Sequence, residues 1–199
     1  MNVDVVVKVG GSLLAFEEHF QPVLDAISAA ALLRPLLVVA GGGPFADTVR
    51  DVDRKLALDA DTAHWMAVLA MDQYAHLLAS RLVGGAVVVG TRDIGVAFDA
   101  RRVPVLAPSR WLREADPLPH SWDVTSDSIA AWVAGQVRAN SLVLVKPPGC
   151  ATSPGFVAGG AGVVDPYFIR ARPAHVETCV VRADEMDALG AALRDVRST

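Results

Sequence analysis

Several things are scarce in this chain, and each scarcity excludes something. No apolar stretch reaches the roughly 18–20 residues that cross a bilayer, so no membrane span is expected. The start lacks a basic segment leading into an apolar one and a cleavage site. No secretory leader is expected either, and the cytoplasm is the default location. There are two cysteines, Cys150 and Cys179, without metal-ligand spacing, so neither a disulfide framework nor a zinc site is indicated. A net charge of −4 gives no general affinity for nucleic acid. G-x-x-x-x-G-K-[ST] is absent, which excludes a P-loop NTPase. G-x-G-x-x-G opening a helix is absent too, so a dinucleotide-binding Rossmann site has no support. Lysine is the rarest cation: only Lys8, Lys55 and Lys146 stand among 18 Lys and Arg. A lysine kept against such a preference for arginine marks a place where a compact charge on a flexible stem differs from a planar fork.

What is present is a large apolar fraction, 52% of 199 residues, enough for one domain with a substantial core. Short β-branched runs recur along it. Residues 3–9, 36–40, 86–89, 103–107, 141–145 and 177–182 read as buried strands. Helical spacing fills 17–33, 46–56, 61–82, 109–115, 128–136 and 184–196. On the long 61–82 helix, Trp65, Leu69, Tyr74, Leu77 and Leu78 are the expected core. Alternation of strands and helices predicts an α/β fold, a three-layer αβα sandwich around a mainly parallel sheet. Residues 147–162, with five glycines and three prolines, are the least regular stretch.

In such sheets ligands bind at the carboxyl ends of the strands. Lys8, Gly41-Gly42-Gly43 and Lys146 all fall there. "VVVKVGGSLL" at 5–14 places a lysine and then Gly10, Gly11 and Ser12 after the first strand. "LLVVAGGGPF" at 36–45 repeats the device after the second. A glycine run between a strand and a helix lets backbone N–H groups approach an anion, and the helix dipole adds to the attraction. One such loop often only makes a turn; two on one edge, with lysines beside them, point to phosphate. Phosphoryl transfer asks mainly for positioning and for neutralised charge, which Lys8 could supply. By itself Lys8 could also cap a strand in solvent. Asp127, with Thr125 and Ser126 before it, could equally be a first-turn charge behind a helix cap.

"VVVKVGGSLL", "LLVVAGGGPFADTVR", "DVTSDSIAAWVA" and "LVLVK" occur in the order found in the amino-acid kinase superfamily, and the chain resembles that family over most of its length. Its members include acetylglutamate, aspartate, uridylate and isopentenyl phosphate kinases. The resemblance implies ATP and Mg²⁺ (carried by the nucleotide, with no protein metal site identified) bound by the C-terminal part, and the acceptor bound by the N-terminal part. It implies catalytic roles for Lys8, Asp127 and Lys146, with Asp127 organising the lysines and removing no proton. It gives Gly10, Gly11, Ser12, Gly41, Gly42 and Gly43 to the phosphate and the transition state. Lys146, Gly149, Asp165 and Tyr167 fall to the nucleotide. Homo-oligomers are usual in the family.

Within it, the shortness of the chain and the "HSWDVTSDSIA" segment resemble the methanofuran-pathway branch, whose kinases phosphorylate an aminomethylfuran methyl phosphate. Arg50, Thr125 and Ser126 are candidates for the acceptor's phosphate, though Arg50 could simply be a solvated helix residue. His64 and Met71, seven apart and so on one helix face, are candidates for a flat ring. Asp72 or Asp61 are candidates for its amine. Phe45-Ala46-Asp47 lacks the histidine expected of isopentenyl phosphate kinases. A uridylate-kinase-like acceptor, and a protein that only binds an anion or nucleotide, are the alternatives.

Overall fold

A computed structural model describes residues 3–150 and 162–194. Its six strands are β1 (Val5–Val9), β2 (Leu36–Ala40), β3 (Gly85–Val88), β4 (Val103–Leu106), β5 (Ser141–Lys146) and β6 (Glu177–Arg182). All pair in parallel, in the order β3-β4-β2-β1-β5-β6. The helices are α1 (Glu17–Ala31), α2 (Gly43–Leu56), α3 (Ala60–Arg81), α4 (Thr91–Asp99), α5 (Ser109–Ala115), α6 (Ser126–Gln136), α7 (Phe168–Ala171) and α8 (Met186–Arg194). The expected α/β architecture is the observed one. Five of the six strands are read to within a residue at both ends.

Parallel sheets covered on both faces need strands that are apolar throughout, and β1 and β2 are buried at every position. Period-two alternation splits their side chains between two cores. Val6, Leu37, Val39, Leu142 and Leu144 meet α6 and Phe168 of α7. Val5, Val7, Val9, Val38, Val143 and Val145 meet Val23, Leu24 and Ile27 of α1 and Leu189 of α8. The same alternation puts Lys8 in the row of Val6, and Lys146 in the row of Leu142 and Leu144. Both lysines therefore end on the α6 side of the sheet.

The chain runs outward from β1 on one side through β2, and returns to the other side of β1 only with β5. The gap between β1 and β5 is thus the topological switch point, where open α/β sheets leave a crevice at their carboxyl edge.

Three differences from the expectations have local causes. α2 and α6 begin two or three residues earlier than predicted, because the glycine loop and the Thr125 cap enter the helix directly. α4 was not foreseen, since Gly95 in its middle weakens the helical pattern. Leu69, expected in the core, is 44% exposed, as α3 presents one face to solvent. The irregular segment at 151–161 and the end of the last predicted helix lie outside the described residues. Among the described residues, no helix is long and apolar enough to cross a membrane.

Candidate functional site

Asp127, in the first turn of α6, stands between the two lysines. Lys8 Nζ lies 2.8 Å from Oδ1, and Lys146 Nζ lies 2.6 Å from Oδ2. Lys146 donates an aligned hydrogen bond; Lys8 makes its ion pair off that line. Exposures of 5%, 4% and 9% for Lys8, Asp127 and Lys146 make this a buried triad. A charge is not buried unless it is paired, and here one carboxylate serves two ammonium groups, leaving an excess positive charge.

Burial opposes ionisation of Asp127, but attraction first to Lys8 and then to Lys146 outweighs it, and the carboxyl is held below its usual range. Burial, and then the charge of Lys8, push the Lys146 ammonium below its usual range, with Asp127 pulling the other way. With its pKa depressed and both oxygens facing cations, Asp127 is unsuited to be a general base. It suits the placing of two cations.

The glycine loops close over this triad and pack on each other. A Cβ on Gly11 would come within 1.9 Å of the Gly43 nitrogen, so that position has no room for a side chain. Gly43 has φ of +59°, the left-handed region that glycine enters without strain. α2 starts there, so its positive dipole end opens at the loop. Part of the glycine signal is therefore close packing between the loops, and part is access to their backbone.

The cavity at this edge has a volume of about 250 Å³ and reaches from Lys8, Lys146 and Asp127 to the middle of α3. Its wall includes Gly10, Gly11, Ser12, Gly42, Gly43, Arg50, His64, Met71, Thr125 and Ser126. The structure thus brings together most of the residues expected for the phosphate and the acceptor. Gly41 is buried behind the wall, where a Cβ would meet the Gly11 nitrogen at 2.6 Å.

Several other expected residues have partners of their own or lie away from this wall. Asp72 is not on the cavity wall: it accepts from the Ser109 backbone N–H at 3.0 Å and from the Ser109 hydroxyl, fixing the start of α5. Asp61 is bonded to His120 at 2.6 Å. Asp165 does not face the cavity. It accepts from the N–H groups of Thr125 and Ser128 at 2.9 and 3.0 Å and from both hydroxyls, so it holds the first turn of α6. Thr125 caps that helix, so its hydroxyl has a structural task as well as a place on the wall. Tyr167 is half-buried at the start of α7 with Arg170 over its ring. Gly149 is exposed beyond β5 with φ of +73°.

Sequence reading missed Trp122 and His120. Trp122 lines the cavity, donates its indole N–H to Asp53 at 2.7 Å and carries the Arg50 guanidinium 4.8 Å from its ring centroid. Arg50 also pairs with Asp47 at 2.9 Å. A tryptophan in a polar loop beside a motif is a functional hint the sequence did offer. His120 stacks on His64 with centroids 4.1 Å apart, and sits between Asp61 and Asp116. Nothing in the chain order announces that meeting.

A three-layer α/β sandwich with a cationic, glycine-roofed cavity at its switch point defines the class of fold-and-site to which this protein belongs. Residues 5–147 match the profile of the amino acid kinase family. The chain belongs to that family. A curated relative, the [5-(aminomethyl)furan-3-yl]methyl phosphate kinase of Methanocaldococcus jannaschii, is 28% identical over 142 residues, which is 70% of this chain and 63% of that protein. The match thus spans less than two thirds of that relative's length. Among solved structures, the uridylate kinase of Archaeoglobus fulgidus superposes with a TM-score of 0.67 at 17% identity, covering 94% of this chain and 95% of that one. The UMP kinase of Bacillus anthracis gives 0.68 at 15% identity, covering 94% and 90%. At such identities the likeness is one of fold.

Proposed function

We propose that the protein is an ATP-dependent phosphotransferase that adds a phosphoryl group to a small phosphomonoester and makes a diphosphate. The observation that carries this reading is Asp127 holding two buried lysines beneath the glycine loops at the switch point.

The chemistry follows from the charges. A phosphomonoester has its second pKa near ~6 and carries about −1.5 to −2 at neutral pH, so its attacking oxygen is already ionised. No base has to remove a proton, and Asp127 need not be one. The difficulty is to bring two anions together. Lys8 and Lys146 stand on either side of Asp127, where they can neutralise the three oxygens of the group in transit and those of the acceptor. Glycine-loop N–H groups and the α2 dipole add to that field. Among the described residues no group of three His, Cys, Asp or Glu could hold a metal ion. Mg²⁺ would enter with the phosphates of the nucleotide and offset their charge.

For the acceptor we assign the aminomethylfuran methyl phosphate of the methanofuran-type pathway. The name of the 28%-identical relative supports it, as does a wall that offers Arg50 for an anion and His64, Met71 and Trp122 for a flat ring. A cytoplasmic homo-oligomer accompanies this reading. The test is coupled ATP turnover with Mg²⁺ against the furan phosphate, UMP and isopentenyl phosphate. Selective turnover of the furan phosphate is expected. Preference for UMP would replace the acceptor by a nucleotide, and turnover of none would remove the reaction.

A further inference from the structure

Beside His64 and Trp122 lies a second chamber of about 290 Å³. His64, Ala67, Trp122 and Val124 line both spaces, so the two adjoin along these residues. Their chemistry is opposite. The first sets Lys8, Lys146 and Arg50 against Asp127 and Asp47, an excess of positive charge. The second is walled by Leu58, Ala60 and Ala63, with one carboxylate, Asp53.

The two histidines of the second chamber add little positive charge. Burial, and then the neighbouring His120, push His64 down to about 4, so its ring is neutral. His120 has a carboxylate on each ring nitrogen, Asp61 at 2.6 Å and Asp116 at 2.9 Å, which balance its charge. Asp53 is half-buried and accepts one hydrogen bond on each oxygen, from the Leu58 N–H at 3.0 Å and the Trp122 indole at 2.7 Å. A carboxylate has about four acceptor sites, so capacity remains for another donor.

We propose that this chamber is the tail subsite of the acceptor: it takes a short cationic, hydrogen-bond-donating group on a flat ring whose phosphate lies at Lys8 and the glycine loops, and Asp53 selects it. The proposal rests on the phosphomonoester reading and narrows it to acceptors that are anionic at one end and cationic at the other. An acceptor-rich ring such as uracil would set its carbonyl oxygens against a carboxylate and is disfavoured. Asp53 takes the task that the sequence suggested for Asp72 or Asp61, neither of which lines either chamber.

The test reads binding alone, so it does not depend on turnover. Furfurylamine and 2-methylfuran are titrated into the full chain by ligand-observed NMR. The wild type is expected to bind the amine at least about tenfold more tightly than the methylfuran, in line with a charged hydrogen bond gained. Asp53→Asn should remove most of that preference. Ala63→Leu, which fills the chamber, should weaken both ligands. Equal wild-type affinity for the two, or an unchanged preference in Asp53→Asn, overturns the proposal. Should Asp53→Asn fail to fold, the wild-type preference and the Ala63→Leu loss still decide it. Turnover of a phosphomonoester without furfurylamine binding would overturn the chamber and leave the reaction standing. Furfurylamine binding without turnover would do the reverse.

Discussion

Asp127 and Asp165 serve the same first turn of α6 from two sides, and they are nearly equally buried, at 4% and 9% exposure. Asp127 faces two ammonium groups across the switch point. Asp165 faces two N–H groups and two hydroxyls of the helix it supports. Both satisfy the rule that a buried charge is paired or hydrogen-bonded. The difference lies in what the partners can do once a ligand arrives. Lysines placed by Asp127 can turn to a phosphate, whereas donors bound to Asp165 are committed to the fold. A buried carboxylate in this molecule is read by its partners, not by its burial.

Breaking the triad should give the largest effect. Asp127→Asn leaves two buried ammonium groups uncompensated, and loss of one partner of a buried pair costs about 3–5 kcal/mol. Denaturant unfolding should show that loss, and kcat should fall with it. Native stability in Asp127→Asn would mean that the triad is not the buried charge cluster described here. Next comes Lys8→Ala, which should lower kcat by about 10²–10³-fold, as for removal of one donor at a developing oxyanion. Thermal unfolding should stay cooperative, and an unchanged kcat would remove Lys8 from the reaction.

Asp165→Asn sharpens the contrast from the other side. It should cost about 1.5–3 kcal/mol, the worth of hydrogen bonds to a charged group, with kcat of the folded protein close to wild type. A kcat loss as large as that of Lys8→Ala would give Asp165 back to the nucleotide. The smallest effect concerns His120. Its hydrogen bond to Asp61 first, then that to Asp116, raise its pKa against the effect of burial. A raised folded pKa stabilises fully below the unfolded value and is lost as pH rises through the folded one. The Tm gap between wild type and His120→Gln should therefore be open at about pH 6 and closed at about pH 9. A gap that widens with pH would reverse the assigned charge.

Much of this was legible without coordinates. Valine-rich strands ending in glycine or lysine announce a parallel sheet with its chemistry at one edge, because period-two burial and strand-end loops are local properties. Lys8, Lys146 and the glycine loops could be named on that ground. Asp72 could not be judged, since the backbone that claims it belongs to Ser109, 37 residues away. Asp165 falls to the nucleotide by resemblance alone, and its partners Thr125 and Ser128 lie in a different motif, out of reach of a local reading.

The sequence by itself determined which residues could be strands, which faces they would bury, and that a compact cation followed by glycines would stand at the sheet's edge. These depend on neighbours in the chain. Only the tertiary structure decided that Lys8 and Lys146 meet at one aspartate, that Gly11 and Gly43 press together, and that His120 closes on His64. It also decided that Asp53, and not Asp61 or Asp72, lines the second chamber. Such outcomes turn on which hydrogen-bond donor a distant segment brings within reach, and crossover connections bring those segments together only when the sheet is assembled.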